Sequence, residues 1–169
     1  MAAAAQPKGS VSSGSIKPVT RKAVRCQREV AWLVTQAAGK LVATIDDVNA
    51  PTPSFVLAAA MSYTREQEQT ALNNGHAIDY AAAMAPDLAS FCQAAGLPAA
   101  PNALSDTGYM FTLSGADLIR DVYAYCGDLG ERMDSTAEVK PGYAIKLALR
   151  VFLLGETSAA STAGDKTSA

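Results

Sequence analysis

The cationic residues near the beginning of the sequence have the types and spacing that most clearly indicate chemistry. Six lysines and arginines precede Glu29, and no acidic residue stands among them. Both side chains bind phosphate, arginine through paired hydrogen bonds from its planar guanidinium. The segment is therefore predicted to bind a polyanion or an acidic protein surface. Its cations are Lys8, Lys17, Arg21, Lys22, Arg25 and Arg28.

The net charge of −2 hides two segments of opposite sign. The 14 basic residues divide into six within residues 1–28 and eight beyond them, and all 16 acidic residues follow residue 28. The first segment therefore carries +6 and the rest of the chain −8. This asymmetry is more informative than the overall composition, because it places a basic segment beside an acidic body.

The residues that usually carry catalysis are few. His76 is the only histidine, and it follows a helix-stop sequence, so it is predicted to be solvated or to cap a helix. Cys92 and Cys126 fall on apolar helix faces and are predicted to be small core residues. Cys26 stands among cations and would have a lowered pKa if exposed. The sequence contains no nucleophile elbow, phosphate loop or zinc motif. We therefore expect no catalytic residue and no enzymatic activity.

The acidic clusters of the sequence do not have the spacing of a metal-binding site. Asp46 and Asp47 stand in a loop, and Asp128, Glu131 and Asp134 surround a helix end. Neither spacing matches the calcium-binding loop of an EF-hand. They are predicted to form a solvated surface, and neither a metal nor a cofactor is expected.

Composition divides the chain into three parts. Residues 1–19 lack a hydrophobic period and are predicted to be a flexible basic arm. Residues 20–155 have mostly helical patterning and form the predicted core domain. Residues 156–169 have low complexity and are predicted to be a flexible tail. The expected fold is all-α, with about five to six helices, and no apolar run is long enough for a membrane helix.

The first half of the core is predicted to contain three helical segments. The first begins near Thr20, runs towards Val42 and places Arg21, Arg25 and Arg28 on one stripe. The second begins after Ser54 as its N-cap and ends at Gly75. The third, residues 78–96, contains Pro86 and is either one kinked helix or two short ones.

The second half is predicted to contain two more helices. Ser114 and Asp117 resemble a capping box at the beginning of one. The last follows Pro141 and ends at Gly155. The segment "GYMFTL", residues 108–113, has a strand-like composition but is predicted to be too short to form a sheet.

Two stretches carry a resemblance to a known family. "YTREQEQTALNNGHAIDYAAAMAPDLASFC" has a short helix, a turn and an Ala-rich helix ending in a cysteine, and "LSGADLIRDVYAYCGDLGERM" has a Ser start, Leu and Val steps and a cysteine before a leucine. From Tyr63 to Arg132 the chain resembles the coat proteins of flexible filamentous plant viruses, the potexvirus-like group. It departs from them where Arg150 stands roughly at an expected aspartate, and Trp32 is its only tryptophan.

The resemblance implies a capsid protein that polymerises helically and packages single-stranded RNA through phosphate contacts. It implies that the partners are other copies of the same chain and single-stranded RNA. It implies no contact with a membrane, and it places the protein in the virion and the host cytoplasm. Arg132 roughly matches a basic position of the family. The candidate RNA-binding residues are Arg21, Lys22, Arg25, Arg28, Arg120, Arg132, Lys146 and Arg150.

Other interpretations of the basic segment stay open. Its cations can form a solvated face, or they can contact the acidic body of a neighbouring copy. Residues 1 to about 25 also have the Ser- and Arg-rich, acid-poor composition of a transit peptide. The alternative function is therefore a helical subunit of a larger complex inside a plastid or mitochondrion.

Overall fold

The computed structural model of the chain describes residues 17–44, 50–76, 80, 83, 87–101 and 108–164. Within these residues the chain forms five helices and a pair of strands. In chain order they are β1 (Arg21–Cys26), α1 (Glu29–Thr44), α2 (Pro53–Asn73), α3 (Leu88–Ala95), β2 (Tyr109–Ser114), α4 (Ala116–Arg132) and α5 (Pro141–Gly164).

A two-stranded antiparallel sheet corrects the all-α prediction to a mostly helical fold. β1 pairs with β2 so that Val24 faces Phe111 and Cys26 faces Tyr109. Val24, Cys26, Phe111 and Leu113 are buried, and the residues between them are exposed. This burial period of two is that of a strand with one face on the core. The prediction that residues 108–113 are too short to form a sheet is therefore wrong. Most of this segment belongs to β2, and β1 supplies the second strand.

The predicted first helix is wrong over its first nine residues. Residues 21–26 form β1, and α1 begins only at Glu29. Arg21 and Arg25 still share a face, because residues four apart lie on the same side of a strand as well as on neighbouring turns of a helix. Arg28 lies beyond the strand, so the predicted helical stripe of three arginines does not exist.

Helix α5 is the centre of the core. It packs against α1, α2, α3, α4 and β1. Its side chains from Ala144 to Leu153 are almost all buried, and Leu33, Leu57 and Leu129 of the surrounding helices are inaccessible to solvent. This apolar contact stabilises the fold and fixes the relative positions of the elements.

Several helix ends differ from the predictions by a few residues. Thr52, not Ser54, is the N-cap of α2, and its side chain accepts a hydrogen bond of 3.2 Å from the amide of Phe55. Gly75 follows the end of α2 with φ +68°. The amide of His76 donates to the carbonyl of Ala71 at 2.9 Å, which completes a Schellman motif. The predicted stop at Gly75 is confirmed.

The last helices also start or end elsewhere. The capping-box prediction at Ser114 is wrong, because Gly115 is the N-cap of α4 and no side chain caps it. Helix α5 continues through Gly155 to Gly164, so the predicted end at Gly155 is wrong. Asp87 caps α3, and Pro86 lies outside the described residues, as does most of the arm.

Candidate nucleic-acid interface

The solvent-exposed side of the two-stranded sheet is cationic. Arg21, Ala23 and Arg25 alternate along β1, and all three are exposed. They lie opposite Ser114, Thr112 and Met110 of β2, respectively. We call these six residues the cationic sheet face. Neither strand contains an aspartate or glutamate, so the arginines have no acidic neighbour within the sheet.

The buried side of the sheet and helix α2 hold this face in place. Phe111 and Leu113 are inaccessible to solvent on the opposite side of β2. The Ser54 hydroxyl donates to the carbonyl of Thr112 at 3.2 Å and accepts from the amide of Ser114 at 2.9 Å. Ser54 therefore satisfies two backbone groups at the outer edge of β2, which among the described residues pairs with β1 alone.

Lys22 lies on the other side of β1 but also reaches solvent. Its ammonium group is 4.3 Å from the centre of the Tyr123 ring on α4. A cation at this distance from a ring face is attracted by about 0.5–1 kcal/mol at an exposed site. Lys22 thus links β1 to α4 and keeps its charge at the surface.

A cleft of about 170 Å³ lies between the end of β1 and the beginning of α5, and we call it the α5 cleft. Among the described residues, its lining contains three cationic residues, Arg25, Lys140 and Lys146, and no acidic residue. The remaining lining residues are Cys26, Gln27, Gly142 and Tyr143. A Cβ atom at Gly142 would be 2.5 Å from the carbonyl oxygen of Arg25, so this glycine permits the close approach of α5 to β1.

Glu29 neutralises the cations beneath the α5 cleft only in part. Its carboxylate accepts a 2.9 Å hydrogen bond from Arg150 and lies 3.6 Å from the Lys146 ammonium. Lys146 also donates to the side chain of Gln27 at 3.1 Å. One carboxylate shared by two cations leaves this group with a net charge of +1, and Lys140 adds another charge at the cleft.

Arg150 does not lie where a phosphate can contact it. Its side chain is only 3% exposed. Besides its bond to Glu29, it donates to the carbonyl of Ala83 at 3.1 Å and lies over the Phe91 ring at 4.7 Å. Arg150 therefore joins α5, α1 and α3 inside the molecule, in contrast to its expected place at an RNA surface.

The remaining predicted cations lie apart from the sheet. Arg120 is 70% exposed and pairs with Asp117 and Asp121 on α4. Arg132 donates to the buried carboxylate of Glu68. Arg28 is exposed between β1 and α1. The structure thus brings together Arg21 and Arg25, and Lys146 with Arg25, but not Arg120, Arg132 or Arg150.

A buried polar network between α2 and α4 was not found by sequence reasoning. Glu68 is 3% exposed and accepts hydrogen bonds from the hydroxyls of Tyr80 at 2.5 Å and Tyr125 at 2.6 Å. Arg132 donates to the other carboxylate oxygen of Glu68, and the guanidinium of Arg65 lies 3.7 Å from that same oxygen. Glu68 stands in a run of polar residues on α2 that is typical of a solvated helix face, and no spacing in the sequence identifies its partners.

Burial and the carboxylate together perturb both tyrosines of this network. Desolvation, followed by the hydrogen bond to Glu68, raises the pKa of Tyr80 to about 12. The same causes raise the pKa of Tyr125 above its usual value. Both tyrosines are therefore neutral hydrogen-bond donors at neutral pH.

The cysteines lack the surroundings of a nucleophile. Cys92 and Cys126 are buried, as predicted. Cys26 is also buried, and desolvation raises its pKa to about 11, so the lowered pKa that an exposed thiol would have does not apply. His76 is exposed after the end of α2, as predicted. Among the described residues, no three histidine, cysteine or acidic side chains are grouped as metal ligands.

Two further findings complete the comparison with known types of protein. In the described part of the chain, no helix combines the length and apolar character that crossing a membrane requires. The chain was compared with protein-family models, curated proteins and solved structures, and none of them matches it.

Proposed function

We propose that this chain is a self-assembling structural protein, a virus coat protein that polymerises helically and packages single-stranded RNA through phosphate contacts. The observation that carries the proposal is the cationic sheet face, where Arg21 and Arg25 are exposed and no acidic residue lies in either strand. Binding through phosphates requires cations at the surface but no base-specific pocket.

The spacing of the two arginines suits an extended polyanion. Residues four apart in a strand are separated by about 13 Å along its axis. Arg21 and Arg25 therefore contact different phosphates of a bound strand, and each guanidinium offers paired donors to its own phosphate. Val24 and Cys26 of β1 are buried in the core, and pairing with β2 fixes the backbone positions of Arg21 and Arg25 relative to each other.

An acidic groove on the same chain supports the assembly part of the proposal. It measures about 560 Å³ and lies along α4 and the segment that follows it. Its acidic residues are Glu131, Asp134 and Glu138, and none of the described residues that line it is cationic. The occupant we propose is the basic segment before β1 of a neighbouring copy, which contains Lys8 and Lys17. A contact between two different surfaces of identical subunits builds an open helical filament when the rotation from one subunit to the next does not close a ring.

The position of β1 favours this function over the transit-peptide alternative. Removal of residues 1 to about 25 would delete most of β1, whose Val24 is 6% exposed in the core. Phe111 and Leu113 of β2 would lose the strand with which they pair.

Two deletions test this argument. Deletion of residues 1–19, which keeps β1, should leave the urea-unfolding midpoint close to that of the full chain. Deletion of residues 1–26 should lower it. Equal midpoints for the two deletions would remove this argument against cleavage.

Electron microscopy tests the assembly. The purified full chain should form rods or discs in negative stain, and their formation should depend on salt, because contacts between opposite charges are screened. The double variant Glu131→Gln/Glu138→Gln should assemble less than the wild type, whereas Asp117→Asn, an exposed acid outside the groove, should not differ. A chain that stays monomeric under all conditions would overturn the proposal.

RNA binding is tested by its dependence on salt. For an oligouridylate of about twelve nucleotides, the logarithm of the binding constant should fall linearly with the logarithm of salt concentration. Arg21→Gln should reduce that slope by about 0.7, the value for one phosphate contact of a single strand. Arg120→Gln is the matched control, because Arg120 is exposed but paired with acids on α4. An absence of salt-dependent binding by the wild type would contradict RNA packaging.

A further inference from the structure

We infer that the α5 cleft is a second phosphate-binding site, which holds one backbone phosphate of the RNA beside the cationic sheet face. The inference rests on the proposed function, because it names where that RNA continues after it leaves Arg25. It adds Lys140, which the sequence did not indicate as a binding residue.

The charge of the cleft favours an anion. Of the seven described residues that line it, three are cationic and none is acidic. The carboxylate of Glu29 forms its shorter contact with Arg150 at 2.9 Å, and its distance to the Lys146 ammonium is 3.6 Å. An ammonium group has three donors, so Lys146 can retain Glu29 and Gln27 and still donate to a phosphate.

The backbone at the beginning of α5 offers one donor to the cleft, the amide of Gly142. The amides of Tyr143 and Ala144 bond to the carbonyl of Lys140, at 3.0 and 3.3 Å, and Pro141 has no amide hydrogen. Gly142 lines the cleft and stands in the first turn, where amide hydrogens have no carbonyl partner within the helix. The positive end of a 24-residue helix thus lies at a cleft whose lining includes three cationic residues.

The size of the cleft favours a single charged group over a whole small molecule. Sites that enclose drug-sized ligands usually measure about 300–1,000 Å³. A cleft of about 170 Å³ is smaller than that range, so a nucleotide cannot be enclosed in it. A phosphate that enters the cleft while its sugar and base stay outside satisfies both the charge and the volume.

Arg25 connects this cleft to the cationic sheet face. Its carbonyl lies against Gly142 at the cleft, and its side chain lies across Gly108 at the beginning of β2. An RNA strand that contacts Arg21 and Arg25 along β1 therefore reaches the beginning of α5 without crossing an acidic residue of the sheet. The two sites form one continuous path.

The experiment uses the full chain and the same oligouridylate, at protein concentrations below assembly as checked by light scattering. Lys140→Gln should reduce the salt slope by about 0.7, since one phosphate contact is lost. The double variant Arg21→Gln/Lys140→Gln should reduce it by about 1.4, because two phosphates are then released. Arg120→Gln, which removes one exposed charge elsewhere, should leave the slope at the wild-type value.

The outcomes separate this inference from the proposed function. If the wild type binds RNA with a steep salt slope and Arg21→Gln lowers it, but Lys140→Gln behaves like Arg120→Gln, the cleft is not a phosphate site and the proposed function stands. If the wild type shows no salt-dependent binding, both fail. Lys140 is exposed and makes only backbone contacts in the described structure, so its substitution should leave the urea-unfolding midpoint unchanged.

Discussion

The hydroxyl of Tyr125 donates a hydrogen bond of 2.6 Å to the carboxylate of Glu68 inside the contact between α2 and α4. Glu68 is almost fully buried, yet its charge is balanced by Arg132 at the edge of the same contact. A buried carboxylate is stable only while its partners remain, because the desolvation cost is otherwise uncompensated. The network is therefore expected to stabilise the fold, and its contribution to the free energy of unfolding can be measured.

Glu68→Gln should lower the free energy of unfolding by about 2–4 kcal/mol. The substitution leaves Arg132 without its anionic partner, and breaking a buried ion pair costs about 3–5 kcal/mol, reduced here because the Arg132 side chain is 29% exposed. Tyr125→Phe removes one hydrogen bond and should cost about 1–3 kcal/mol. Urea unfolding at neutral pH measures both.

Arg120→Gln is the control for this series, because Arg120 forms only exposed ion pairs. It should change the free energy of unfolding by less than about 1 kcal/mol. If Glu68→Gln costs no more than Arg120→Gln, the buried network does not stabilise the fold.

Stability should fall as pH rises from 10 towards 12. The pKa of Tyr80 is raised from 10.0 to about 12 by burial and then by its bond to Glu68, so the unfolded chain loses this proton first. A raised folded-state pKa contributes its full stability below pH 10 and loses it between the two values. Tyr125 acts in the same direction, since its pKa is also raised.

The midpoint of urea unfolding, followed across this pH range, tests the titration. In Tyr80→Phe the decline should be smaller, because only Tyr125 and the other groups then remain to titrate. Tyr123→Phe is the matched control, because Tyr123 is 38% exposed and the tyrosines that donate to Glu68 are Tyr80 and Tyr125. The assignment fails if Tyr80→Phe and the wild type have the same pH dependence.

The helical core could be predicted from sequence, because its signals are local. Gly75 and Pro141 mark a helix end and a helix start whatever packs against them. The sheet was harder to predict, because β1 and β2 are about 90 residues apart in sequence. The sequence of each segment indicates a strand only when the other segment is known to lie beside it. The alternation of Val24 and Cys26 is a strand signal that the helical spacing of the arginines concealed.

The candidate site divides along the same line. The exposed cations Arg21 and Arg25 follow directly from composition and charge, which need no tertiary structure. Lys140 has no neighbour in the sequence that indicates a binding role, and we propose it as a binding residue because α5 begins next to the end of β1. Arg150 failed as a surface residue for the opposite reason, since the partner that buries it, Glu29, is 121 residues away in the chain.

Cys26 should be unreactive towards iodoacetamide in the folded protein near neutral pH. Desolvation raises the pKa of its thiol to about 11, which reduces the thiolate fraction about 100-fold relative to the ordinary value of 9.0. The residue is 4% exposed, so access is restricted as well. Mass spectrometry should find Cys26 modified in urea but not in buffer. Rapid modification of the native chain at this residue would show that β1 separates from the core.

Replacement of glycine by alanine should have opposite effects at two helical positions. At Gly39 in α1 a Cβ atom meets nothing within 4 Å, so Gly39→Ala should stabilise the fold by about 0.5–1 kcal/mol through helix propensity. At Gly155 in α5 a Cβ atom would overlap the hydroxyl and ring of Tyr63. That ring packs edge-on against Phe152, with centroids 5.6 Å apart, so it cannot move away freely.

Gly155→Ala should therefore destabilise the fold by about 1–2 kcal/mol, because an overpacking cost of about 1–3 kcal/mol exceeds the gain in propensity. Tyr63→Ala removes the ring and also lowers the free energy of unfolding, because the packing contacts of that ring are lost. In the double variant Tyr63→Ala/Gly155→Ala, however, the added methyl group meets no ring, so the two effects should not add, and the coupling measured by urea unfolding should be at least about 0.5 kcal/mol. If Gly155→Ala stabilises the chain as much as Gly39→Ala, Tyr63 does not pack against α5, and the contact between α2 and α5 is looser than the geometry indicates.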